Sequence, residues 1–142
     1  MYNDSEMLQF ICQGTEMGLD SISAVLKQND DPEMKRVLAD QHGEYEKIHE
    51  EAKSILRRMG DAPESVGPIA KASSSLMTAA KTLLDNSPSK IAEMMIQGST
   101  MGVTEGLKHL HGYQNGNGQI RELADKLLHT EQKNIEQMKS FL

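Results

Sequence analysis

Apolar residues recur along this chain at intervals of three and four, the spacing of a single helix face, in five successive segments. The pattern predicts helices over about residues 5–28, 32–59, 65–84, 88–111 and 119–142. No segment alternates apolar and polar residues as a half-buried strand would. The breaks carry helix punctuation. "NDDP" offers Asp31 as a cap with Pro32 at the first helical position, and "DNSP" repeats the signal with Ser87 and Pro88. Gly60 closes the second segment. "GYQNGNG", rich in Gly and Asn, reads as a flexible break.

Two of these segments carry nearly the same phrase, "QGTEMG" at 13–18 and "QGSTMG" at 97–102, an offset of 84. Extended, the offset pairs Leu8 with Ala92, Ile11 with Met95, Leu19 with Val103 and Leu26 with Leu110. The following segments match at an offset of 86, pairing Met34 with Ile120 and Val37 with Leu123. The slip of two falls in the loops, where insertion costs little. Because Gly is costly inside a helix, the shared Gln-Gly and Met-Gly pairs argue against coincidence. The 142 residues therefore form one domain of two helical hairpins, 5–59 and 88–142, joined by a crossover at 60–87. A long crossover between hairpins predicts an all-α, ferritin-like four-helix bundle, with the extra helix in the connection.

Composition narrows the function. The chain has no Trp, two Phe and ten Met, so its core is built from aliphatic and thioether side chains. A net charge of −6 disfavours nucleic acid and anionic membranes as partners. No window approaches the roughly 20 apolar residues of a spanning helix, and the first residues lack a signal-peptide pattern. The expectation is a cytoplasmic protein. Cys12, the single cysteine, excludes an internal disulfide and reads as a small buried hydrophobe.

"CQGTEMG", "NDDPEMKRVLADQ", "RRMGDAPESVG" and "SKIAEMMIQGSTMG" together resemble a family of small bacterial ferritin-like bundle proteins of unknown function. The resemblance covers the whole chain. It implies the fold and no established reaction.

Ferritin-like bundles hold two metal ions with inward Glu residues and Glu-x-x-His pairs. Carried over position by position, the ligand set here reads Glu16 or Thr15, Tyr45 and Ile48, Ser99 or Thr100, and Glu131 and Asn134. The one Glu-x-x-His sequence, Glu46 to His49, sits off the core face: His49 flanks it at roughly 70°, and Glu46 lies at roughly 130°. A conventional di-iron centre is disfavoured, and no cofactor is expected. What remains is an interior polar layer of Thr15, Gln41, Tyr45, Ser99, Glu131 and Asn134, with Glu131 expected to bond Tyr45 or a hydroxyl, or to titrate upward. The alternative is an iron or manganese site using Glu16, His49 and Glu131. Glu105 and His109, four apart, read as a surface pair.

Gly14 and Gly18, with Gly98 and Gly102 in the second repeat, form bare stripes beside the core face and are assigned to close helix packing. Met17 and Met101 point away from the core and call for cover, by the 65–84 helix or by a second subunit. No phosphate loop, nucleophile elbow or catalytic dyad is visible. The leading expectation is a non-catalytic bundle, a stress-associated or interaction protein that forms a homodimer. The alternative is a di-metal oxidase or iron-binding protein.

Overall fold

A computed structural model describes residues 1–64, 78–114 and 116–142. Four long helices make up most of it: α1 (Asp4–Leu26), α2 (Pro32–Arg58), α3 (Pro88–His111) and α4 (Gly118–Lys139). Residues 78–81 are also helical, and no strand occurs among the described residues. Most of the helix expected over 65–84 lies outside the described residues.

Each helix begins where a side chain can satisfy its free amide groups. Asn3 Oδ1 accepts from Glu6 N at 2.8 Å, and Asp31 Oδ2 from Met34 N at 2.8 Å. Ser87 Oγ accepts from Lys90 N at 3.3 Å, and Asn117 Oδ1 from Gln119 N at 2.8 Å. Pro32 and Pro88 open α2 and α3, where no amide hydrogen is needed. At the end of α2, Gly60 takes φ +78°. This turn lets Asp61 N reach Leu56 O at 2.9 Å and Gly60 N reach Arg57 O at 3.0 Å, the Schellman closure. Two helix ends differ slightly from the sequence reading: α1 stops at Leu26 and α4 at Lys139.

The tightest pairings are α1 with α2 and α3 with α4, giving the two hairpins. Between hairpins, α2 packs on α4, and α1 meets both α3 and α4. One core fills the space between them, with Met7, Leu8, Ile11, Ile22, Ile48 and Met138 among its buried side chains. Leu38, rather than Val37, is the fully buried residue in the early part of α2, and its repeat partner Ala124 is buried too. Met59 is 47 % exposed, because it is the C-cap from which the chain turns away. Leu84 is fully exposed beyond the 78–81 turn.

Two connections are held by buried side chains that the sequence pattern did not single out. Gln9 on α1 donates to Ala62 O and accepts from Glu64 N, both at 2.8 Å, tying the 61–64 segment to the first helix. Tyr113, in the break read as flexible, is completely buried. Its hydroxyl donates to Asp4 Oδ1 at 2.5 Å and accepts from Asn117 N at 2.9 Å. Arg121 donates to the Tyr113 carbonyl. Beside it, His109 stacks between Phe10 and Tyr2, with ring centroids 3.8 and 4.3 Å away. These contacts fasten the start of α1 to the end of α3.

Candidate functional site

Six of the buried polar side chains belong to the polar layer read from the sequence. Thr15, Gln41, Tyr45, Ser99, Glu131 and Asn134 are each at least nine-tenths buried. The structure divides them into three groups. Gln41 donates to Gln137 Oε1 at 3.0 Å within the α2–α4 contact. Thr15 Oγ1 lies 2.8 Å from Ile11 O and 2.8 Å from His49 Nδ1. Tyr45, Ser99, Glu131 and Asn134 form the third group: Asn134 Nδ2 donates to the Tyr45 hydroxyl at 3.2 Å, while Tyr45 and Ser99 both present hydroxyls to the Glu131 carboxyl. No fully buried side-chain nitrogen or oxygen among the described residues is without a partner.

The third group follows from the internal repeat. Tyr45 and Glu131 are 86 apart, so they hold the same place in α2 and α4. Gly18 and Gly102 are 84 apart and hold the same place in α1 and α3. In each hairpin the glycine makes room for the bulky polar side chain opposite. A Cβ on Gly18 would stand 2.7 Å from the Tyr45 ring, and one on Gly102 would stand 2.9 Å from Glu131 Cδ. Both side chains reach the middle of the bundle through these gaps.

Burial sets the electrostatics. Removing the Glu131 carboxyl from water pushes its pKa up to about 7, against the downward pull of hydrogen bonds from Tyr45 and Ser99. Tyr45 is held well above the ordinary tyrosine value by its own burial and by the charge of Glu131. Near neutrality, then, Glu131 exchanges a proton while Tyr45 remains a neutral donor.

Next to this group lies a pocket of about 80 Å³, between α1 and α3. Gly14 and Gly18 face Gly98 and Gly102 across it, so the glycine stripes border a pocket where the sequence reading put a close seam. Gly14 is not crowded: a Cβ there would find Leu127 at an ordinary 3.7 Å. Met17 and Met101, read from the sequence as facing outward, are half-buried and line the pocket with Met94 and Met95. The reason is that a glycine stripe recedes, so that the methionines flanking it become walls. Tyr45 and Glu131 contribute to the lining from α2 and α4.

The residues weighed as metal ligands are not brought together. Glu16 is exposed, whereas Glu131 is buried with Tyr45 and Ser99. His49 was read as lying on the flank, toward water. It is half-buried, with Thr15 as partner. Its place four residues after Tyr45 on the same helix face was the signal for this. Glu46 is exposed and pairs with His42 Nδ1 at 2.9 Å. His109 directs Nδ1 at the backbone oxygen of Glu105, 2.8 Å away, and not at its carboxylate. Among the described residues, no three His, Cys, Asp or Glu side chains gather as a metal ion would require.

No protein-family model matches the sequence, and no curated protein matches it. Among solved structures, the chain is similar to a DUF305 fragment from Deinococcus radiodurans. The superposition covers 99 % of this chain and 95 % of that one, with a TM-score of 0.79 and 18 % identity. That likeness shows the all-helical fold. No described helix is long and apolar enough to cross a membrane.

Proposed function

We propose that the chain is a non-catalytic, ferritin-like four-helix bundle that acts as a binding or interaction protein. In this reading, the layer where such bundles hold metal has become a hydrogen-bonded polar core. One observation carries the proposal: the repeat position that holds Glu131 in α4 holds Tyr45 in α2, and the two side chains engage each other. A symmetric two-metal site needs carboxylates from both hairpins. A phenol donating to the single acid instead satisfies the acid from within the protein. The order of helix pairing, two hairpins joined by a long connection, supports the ferritin-like topology.

The metal content of untagged protein, measured by elemental analysis, tests this reading. The expected result is iron and manganese far below one equivalent per chain. Near-stoichiometric iron that is lost in Glu131→Ala would overturn it in favour of a metal-binding bundle.

A further inference from the structure

The pocket between α1 and α3 has a definite chemical character. Its walls are largely apolar: four methionines, Leu127, Phe10 and Ala80. Thioethers are polarizable and adapt to ligands of varied shape. Among the described residues, the titratable groups in its lining are Tyr45 from α2, Glu105 from α3 and Glu131 from α4, while α1 contributes none. Among the described residues, no Lys, Arg or His lines it. Glu105 is partly exposed, with Lys108 Nζ 3.4 Å from its carboxylate. Glu131 is the deep group, only 6 % exposed.

A carboxylate offers about four acceptor sites, and two hydroxyls engage the Glu131 carboxyl. It therefore keeps acceptor capacity beside the pocket it lines. A volume of about 80 Å³ is several times the ~10–15 Å³ needed to admit one water. It fits a molecule of a few heavy atoms. An anion there would face two carboxyl groups and, among the described residues, no cation. A small ammonium ion with an aliphatic tail matches each feature: three donors for the carboxylate, and a hydrocarbon part for the methionine walls.

We infer that the pocket between the two glycine stripes is a binding site for a small primary alkylammonium ion, with Glu131 as its charge partner and the methionines around its tail. This site is separate from the question of metal binding, since it rests on the cavity and its lining. Binding favours ionised Glu131. The pocket group that changes charge near neutrality is thus the group that meets the ligand, and binding releases a proton where Glu131 was protonated.

Titration of the full-length chain with n-butylammonium chloride, followed by isothermal calorimetry and by NMR of the Gly18, Met101 and Glu131 resonances, tests the inference. The size-matched probes are n-butanol and butyrate. The expected result is saturable butylammonium binding, tighter than either probe. Affinity should rise about 30-fold from pH 5.5 to pH 8, as the ionised fraction of Glu131 grows. Glu131→Gln should fold, unfold cooperatively and bind about tenfold or more weakly, without the pH dependence. Glu105→Gln should lose no more than about threefold, as expected for a screened rim charge. Equal binding of butanol, preference for butyrate, unchanged affinity in Glu131→Gln, or no saturable shift at about 100 mM ligand would each overturn the inference.

Discussion

Tyr45 and Glu131 hold equivalent positions in the two helical repeats, and their side chains meet in the core with Ser99 and Asn134 around them. The pair is symmetric in backbone position and asymmetric in chemistry. One member is a phenol that stays neutral. The other is an acid whose proton is held to about pH 7. The glycines opposite, Gly18 and Gly102, make both placements possible.

The first prediction concerns pH. Glu131 titrates near its ordinary 4.5 when unfolded and at about 7 when folded. Between those values the native state holds a proton that the unfolded state has released. Stability therefore falls as pH rises from about 4.5 to about 7, and Glu131 adds no further change above that. The full shift corresponds to a loss on the order of 3 kcal/mol. Glu131→Gln removes this dependence. Urea unfolding at about pH 5 and about pH 8 should show the variant gaining on the wild type by roughly 2–3 kcal/mol across the interval. A constant difference would mean that the acid is not desolvated in the native state.

The glycines separate by context. Gly18→Ala drives a methyl group into the Tyr45 ring, a rigid neighbour held on both sides, and should cost roughly 1–3 kcal/mol. Gly14→Ala meets Leu127 at ordinary contact, and Gly43→Ala meets nothing within 4 Å. Both should gain roughly 0.5–1 kcal/mol from helix propensity. Thermal unfolding of the three variants checks the ordering, and a stabilised Gly18→Ala would refute the close approach to Tyr45.

What the sequence made legible follows from periodicity. Helix starts at Pro32 and Pro88 were readable because capping residues act locally. The repeat was readable because Gly inside a helix is unusual enough to mark register. The pocket was not. A glycine stripe is compatible with close backbone packing or with an opening, and the choice depends on which side chains cross from neighbouring helices. His49 and Gln9 were missed for a related reason: each finds a partner on a different element, 34 and 53 residues away. Tyr113 was hidden by its Gly- and Asn-rich surroundings, which obscured a single buried aromatic.

Tyr113 supplies the third prediction. Its hydroxyl bridges Asp4, near the start of α1, and the backbone of Asn117, the cap of α4. Tyr113→Phe leaves the ring packing intact and removes both hydrogen bonds. It should cost roughly 1–3 kcal/mol, since it strands a donor at Asn117 as well as losing the contact to Asp4. Hydrogen exchange should show faster opening at the start of α4 in the variant. Unchanged protection there would show that the bridge does not hold the cap in place.

Cys12 supplies the last. Its side chain is 1 % exposed on α1, and burial pushes the thiol up to about 11, with Lys53 opposing and Glu16 and Glu50 adding to the rise. Two barriers then protect it: the reagent cannot reach the sulfur, and very little thiolate exists near pH 8. Labelling with a thiol-specific disulfide reagent should therefore be slow in native protein and rapid in denaturant. Because a native thiol reacts only through opening, the labelling rate should follow the population of open molecules. Gly18→Ala, expected to destabilise the bundle, should speed labelling by roughly fivefold or more if opening is global, at about 1.4 kcal/mol per tenfold. Rapid labelling of the native wild type at pH 7 would contradict the burial of Cys12 and the packing of α1 against α2.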